Sequence, residues 1–318
     1  MLPVFRFQHT SSLSLLLCLL TCVIGAPLTP GFASSGNVLN ILGMAAPLLI
    51  LALGQMLVMI SAGIDLSGTA IMAVASIWGA QLMQPGLTPL PAGPWLVPLV
   101  VVAMPCIGGA FGAANGALIS WGRIPPFLAT LISMVFLYGL AAWWTRSASI
   151  GNLPTEFIAL GSQPWIVFPV AATIAILVDR ILRRTLYGRW LYALGSNPET
   201  AWVSGVAVQQ TVFVTYAGAG FLAGTAAILF TAQLETGSPV LGKNLMLDVI
   251  GAVVIGGTSL FGGVGRVSWT VGGVLFLVLL ENILSLHNLS HFVVMMAKGA
   301  LILAACLLDS LRRQRKSQ

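Results

Sequence analysis

The sequence predicts an all-α integral membrane protein of about ten transmembrane helices, some broken or bent, with both termini cytoplasmic. Of its 318 residues, 58% are hydrophobic and 7% are charged, with a mean hydropathy of +0.98. Soluble domains carry about a quarter charged residues. Apolar runs of roughly 20 residues recur along the chain, and such runs cross hydrocarbon as helices because a helix satisfies its own backbone hydrogen bonds. The short alternating segments of a β-barrel are missing from the sequence.

The first run, near 11 to 28, follows Arg6, and Leu19-Leu20-Thr21-Cys22 gives residues 1 to 26 some likeness to a cleavable lipoprotein leader. Removing it would leave nine spans and break the charge pattern below, so a retained first helix is expected. Runs near 39 to 60 and 66 to 84 flank SAGIDLSG, residues 61 to 68. The run near 95 to 119 carries Gly112-x-x-x-Gly116, and the next, near 126 to 145, begins after Ile124-Pro125. An outer polar loop (146 to 163) precedes the run near 164 to 181, and an inner polar segment (182 to 208) precedes the run near 209 to 232. That seventh run carries Gly220-x-x-x-Gly224, and both glycine pairs fit close helix packing where the hydrophobic effect cannot drive association. After an outer loop (233 to 245), runs near 246 to 262 and 267 to 286 flank GGTSLFGGVG, residues 256 to 265, and a last run lies near 290 to 309. The two glycine-rich bends resemble one another weakly, as expected where helices break near a cavity.

Ten spans put both termini on one side, and the basic residues test this. Arg6, Arg123, Arg180, Arg183, Arg184, Arg189, Arg266, Arg312, Arg313, Arg315 and Lys316 fall inside, Arg146 and Lys243 fall outside, and Lys298 lies within a span. The net charge of +6 is therefore a topology signal with affinity for anionic lipid, and nucleic-acid binding is not expected. No hydrophilic stretch is long enough for a soluble domain, so residues 1 to 318 read as a single transmembrane domain containing the segment 182 to 208.

Enzyme chemistry finds little footing. Gly237 to Asn244 nearly spells the nucleotide-binding pattern GxxxxGK[ST], but Asn244 replaces the magnesium-binding hydroxyl and Pro239 removes a backbone donor. His287 and His291 are four apart with no third ligand in view, which reads as interfacial polarity, with no metal expected. Three histidines offer no credible catalytic constellation. Cys18, Cys22, Cys106 and Cys306 read as small packing residues. Charges within spans are costly and therefore candidates for function: Glu281 and Lys298 are expected to form an ion pair that fixes the last hairpin.

Several motifs together resemble the permease subunits of bacterial ABC importers of the ribose and galactoside type, a family that includes branched-chain amino-acid permeases. They are Ala62-Gly-Ile-Asp-Leu-Ser67, Asn115-Gly116 with Ile124 to Leu131, Gly188 to Asn197 running to Ser204-Gly205, and Leu247 to Leu260 followed by Gly262-Gly263. The end, Lys298-Gly299 through Asp309 to Arg312 and Arg313, fits as well. The likeness covers nearly the whole chain, and the GIDLS element points to the sugar branch. Ala62 stands where the family usually has Gly, Gly68 follows Ser67 as if a Val were missing, Met246 stands for a common acidic residue, and Trp202 for a common basic one.

The resemblance implies an inner-membrane permease that moves a small polyhydroxylated solute, a monosaccharide above all, into the cytoplasm. It implies a cytoplasmic ABC ATPase partner carrying ATP and magnesium, an external solute-binding protein, and a second permease copy or homologue, with no cofactor on this chain. By position, Gly195, Ser196, Asn197, Glu199, Ala201, Ser204 and Gly205 would form the coupling element docked on the ATPase. A Gly195→Asp change would then uncouple transport without loss of expression. Candidates for the pathway or gate are Asp65, Ser67, Asn115, Asp248, Gly256 and Gly257, with helix capping an open alternative for the two aspartates. A nucleoside, polyol or sugar-derived signal remains open as cargo, as does an energy-independent channel or carrier.

Overall fold

The computed structural model describes residues 11–84 and 93–314. Arg6, Arg315 and Lys316 lie outside the described residues, as do the side chains of Cys306, Asp309, Arg312 and Arg313. Among the described residues there are thirteen helices: α1 (Ser11–Leu28), α2 (Ser35–Ile60), α3 (Gly68–Met83), α4 (Leu96–Ser120), α5 (Pro126–Thr145), α6 (Thr155–Ser162), α7 (Pro164–Arg184), α8 (Leu186–Ser196), α9 (Pro198–Val203), α10 (Val208–Gln233), α11 (Met246–Gly256), α12 (Val267–Leu286) and α13 (His291–Gln314). Six of them, α2, α4, α5, α7, α10 and α12, are long and apolar enough to cross a membrane. Shorter apolar helices lie within α1, α3, α11 and α13, so the ten apolar helices fall on the ten predicted runs.

Helix α2 is mostly apolar and, Leu49 apart, buried from Ala45 to Ile60, with α3, α7, α10, α11 and α12 around it. Ser34 caps its start by accepting from Asn37 N, and Asn37 exchanges amide hydrogen bonds with Asn282 of α12 at 2.9 and 2.8 Å. Helix α1 packs on α12, where Cys18 Sγ donates to the Gly272 carbonyl at 3.2 Å. Its end is tied by Thr29, whose hydroxyl lies 3.0 Å from His287 Nε2.

The two glycine pairs meet each other across one crossing. A Cβ on Gly112 would collide with the Tyr216 carbonyl, one on Gly108 with that of Gly220, and one on Gly224 with that of Met104. Backbones this close gain dispersion over many atom pairs, the main attraction left to helices in lipid.

Two regions depart from the predicted spans. The eighth is not one continuous helix over 246 to 262: α11 ends at Gly256, where Gly257 adopts φ +107° and the chain turns. Eleven residues rise only about 16 Å, half the hydrocarbon thickness. The missing half is supplied by the supposed outer loop 233 to 245. Gly237 packs against Ile77 and Ala80 of α3, and Gly242 lies against Thr69 in its first turn. Residues 237 to 245 thus descend along α3 before α11 begins, and Lys243 lies on this descent instead of in an outer loop. The outer loop 146 to 163 also differs, because it contains α6, and Ile150 pairs with Gly237 in an isolated antiparallel bridge.

Exposed apolar side chains cover the outside, as expected of a lipid-facing surface: Trp95, Trp143, Trp144 and Trp165 gather at corresponding ends of α4, α5 and α7. Such rings mark the membrane–water boundary.

Adding one methyl group tests the crossing. Gly220→Ala is expected to cost about 1–3 kcal/mol through overpacking, whereas Gly218→Ala on the same helix has nothing within 4 Å and is expected to be neutral or slightly stabilising. Thermal unfolding of both variants in detergent measures the difference; equal midpoints would contradict the close crossing.

Candidate transport site and its coupling junction

After α2 ends at Ile60, the chain doubles back through residues 61 to 67 to start α3 beside Leu51. Ala62 sits at φ +63°, in the left-handed region that a Cβ disfavours by about 1–2 kcal/mol. Gly63 is tied to its size by Tyr216, whose hydroxyl would collide with a Cβ.

Asp65 is 3% exposed, and its Oδ1 accepts from Ser67 N at 2.7 Å and from Ser67 Oγ at 2.6 Å. The aspartate therefore shapes the turn into α3, while Ser67 occupies the N-cap position itself. Ser67 Oγ also accepts from Asn115 Nδ2 of α4 at 2.8 Å, and Asn115 Oδ1 accepts from Ser133 Oγ of α5. Thr130 of α5 donates to the Ile64 carbonyl at 3.2 Å. Asp65, Ser67 and Asn115, singled out by sequence, are thus joined in one chain of hydrogen bonds with Ser133, which was not. They lie in the closed interior and pin three helices to the bend. The buried carboxylate also lies beside Gly68 and Met246, the first residues of α3 and α11, in one small cavity. Two helix N-termini carry partial positive charge toward it.

The second bend, residues 257 to 266, meets the first. Gly263 N donates to the Ile60 carbonyl at 2.9 Å, and Gly262 lies against Ala62. Gly262 and Gly263 have φ +88° and +72°, which glycine adopts without strain. Gly256 is pressed on the Trp269 backbone, so it and Gly257 end α11 and set the approach to this bend.

Helix α8 seats on both bends. A Cβ on Gly195 would collide with the Ile60 carbonyl and lie 2.6 Å from Gly263 N. Tyr192 Oη donates to the Gly265 carbonyl at 2.8 Å, and Ser196 lies against Gly263. Burial raises the Tyr192 phenol above its ordinary pKa, against an opposing pull from Arg266 and Arg183, so it stays protonated as a donor at neutral pH. Gly195 is therefore an internal contact. An aspartate there would meet Ile60 before any partner, so the expected clean uncoupling by Gly195→Asp does not follow from this geometry.

The rest of the coupling element forms a cap and a short helix. Asn197 accepts from Thr200 N at 2.9 Å, Pro198 and Glu199 occupy the first turn of α9, and Gly205 at φ +81° follows its end. Ala201 is buried, while Ser196, Asn197, Glu199, Ser204 and Gly205 are exposed. The largest apolar surface here comes from Trp202 and Val203, 71% and 79% exposed. The sequence signal for this surface is two adjacent large apolar residues within a polar segment.

Asp248 lies elsewhere, in the first turn of α11. Lys298 Nζ is 2.8 Å from both Asp248 Oδ2 and Glu281 Oε2, so the expected Glu281–Lys298 pair exists and Asp248 completes it. The three groups tie α11, α12 and α13 together.

Removing the ammonium leaves two poorly solvated carboxylates, so Lys298→Met is expected to cost about 3–5 kcal/mol. Glu281→Gln alone would leave Asp248 unpaired and not restore stability; Asp248→Asn together with Glu281→Gln would. Thermal unfolding of the three combinations decides, and full rescue by Glu281→Gln alone would exclude Asp248 from the cluster.

The family model for the permease component of the branched-chain amino acid transport system matches residues 37–306. The ribose import permease protein of Bacillus subtilis strain 168 is 36% identical over 293 residues, 90% of this chain and 88% of that protein. The ribose import permease protein of Escherichia coli K12 is 33% identical over 305 residues, 93% and 92% of the two chains. The D-allose transport system permease protein of the same strain is 30% identical over 300 residues, 93% and 90% of the two chains. No solved structure matches the chain. With most of its length matched by the family model, and relatives aligned almost end to end, the chain belongs to the family of permease components of the branched-chain amino acid transport system.

Proposed function

We propose that this chain is the permease subunit of an ABC importer in the bacterial inner membrane, carrying a monosaccharide into the cytoplasm. An external binding protein delivers the sugar, and ATP hydrolysis in a separate cytoplasmic subunit, with its own magnesium, drives the cycle. The chain works with a second permease copy or homologue. The cargo reading is supported by relatives named for import of ribose and transport of D-allose.

The observation that carries the mechanism is the seating of α8 on the Ile60–Gly263 junction. On this reading, the ATPase docks on the exposed face of α9 and its neighbours, around Glu199, Trp202 and Val203. A cavity of about 720 Å³ runs beside them, lined by Pro198, Val206, Ala207, Val208, Gln209 and Gln210 as well. Closure of the ATPase pushes α9. Helix α8 has no soft joint to the bends, because Gly195 touches backbone directly, so the push reaches the ends of α2 and α11 as a rigid displacement. The bend at 61 to 67 carries it to α4 and α5 through Ser67, Asn115 and Ser133. That linkage alternates access between the two sides. Residues 1 to 318 act as one membrane domain, with 182 to 208 as its lever.

Replacing both exposed side chains, Trp202→Ala with Val203→Asp, is expected to weaken ATPase association at least about 30-fold, as loss of an interface anchor does. The amount of folded permease should not change, since neither side chain is buried. ATPase recovery with the purified permease and ATP-dependent uptake of labelled ribose, allose and galactose provide the test. Normal ATPase association would remove α9 as the docking element, and uptake that survives ATP depletion with ion gradients clamped would replace the importer with a channel or carrier.

A further inference from the structure

We propose that Lys243 and Asn244, on the segment descending along α3, line the water-filled path of the transported solute and hydrogen-bond its hydroxyl groups. This rests on the importer reading above and adds a wall of the path to it.

Depth is the first observation. Trp144 of the boundary ring donates to Gln81 Oε1 of α3 at 2.5 Å, which sets the last turn of α3 at the membrane–water boundary. Gly242 packs against Thr69, 12 residues earlier on that helix, hence roughly 18 Å deeper. Half the hydrocarbon core is about 15 Å thick, so the next residue, Lys243, lies near the middle of the membrane.

Exposure is the second. Lys243 and Asn244 are both exposed, and neither side chain has a hydrogen bond or ion pair among the described residues. A lysine reaches about 6 Å, too short to bring its charge to the headgroups from that depth. A bare ammonium facing lipid at mid-membrane is disfavoured, and such residues face protein interiors or aqueous cavities. The nearby Leu241 is buried with its carbonyl 3.5 Å from Tyr138 Oη, so the loop's other side is anchored to α5 and the polar pair is turned outward.

Symmetry separates the remaining choices. A second copy docked tightly on this face would bring its own ammonium to the same desolvated place, adding repulsion to desolvation. Water between the copies relieves both costs. Two ammonium groups and two amides on the walls would suit neutral polyhydroxylated solutes and repel small cations, limiting ion leak during transport.

The test uses the complete importer in cells, with the native cysteines replaced by alanine and ATP-dependent uptake of labelled ribose, allose and galactose measured first. Lys243→Cys and Asn244→Cys are then treated with a charged, membrane-impermeant thiosulfonate. Both cysteines should react, and the sugar that is taken up should slow the reaction during transport. Lys243→Met should lower the maximal uptake rate roughly threefold or more, as loss of one charged hydrogen bond allows. Reaction only with lipid-soluble maleimide, protection by the partner permease regardless of sugar, or wild-type uptake in Lys243→Met would each overturn the proposal. If water-borne labelling occurs but none of the three sugars is imported, the cargo reading fails while the aqueous wall stands.

Discussion

The carbonyl of Ile60 closes α2 at a place where two chain breaks meet, and its acceptance of the Gly263 N–H governs how the surrounding elements can be arranged. Away from water, a helix end must find partners within the protein. Here the end of one broken helix is satisfied by the bend after another. Glycine at 262 and 263 makes this possible, through positive φ and through the absence of any Cβ between the two backbones. Helix α8 then closes over the junction with a third glycine. The arrangement leaves almost no compressible material between α8 and the ends of α2 and α11.

From that junction the polar interior follows. Doubling back after Ile60 places Asp65 beside the starts of α3 and α11, so a carboxylate that would be prohibitive in bare hydrocarbon meets backbone dipoles and the Ser67 donors. Asn115 and Ser133 extend the same chain of hydrogen bonds to α4 and α5. Opposite it, Lys298 holds Asp248 and Glu281 and so anchors α11 to the last two apolar helices. Helix α11 is thus fixed near its start by charge and at its end by glycine packing, while α4 and α10 cross closely and α10 packs in turn on α2.

Much of this was legible in the residues. Hydropathy located the ten apolar helices because each must be apolar to enter lipid, and the Gly112 and Gly220 motifs pointed to a close crossing because small residues are what such crossings require. The Glu281–Lys298 pair was legible because charges in spans need partners. Depth was not. Residues 237 to 245 look like a loop, with Pro239, Gly242 and a lysine, and nothing local says that they run down the side of α3 rather than across the surface. Asp248 as the third member of the ion cluster depended on that same descent. Gly195 was legible as a place of close approach, because a small residue in a polar turn signals one, but not what approaches; within the chain it is Ile60.

If work done at α9 reaches the two bends through α8, removing the tether from Tyr192 Oη to the Gly265 carbonyl cuts a side-chain link in that path without altering backbone packing. The direct measurement is the ratio of sugar moved to ATP hydrolysed in proteoliposomes containing the whole importer, for the natural chain and for Tyr192→Phe. A ratio that falls several-fold while ATPase association is unchanged is the predicted result. An unchanged ratio at full uptake would mean that the motion reaches the bends by another route.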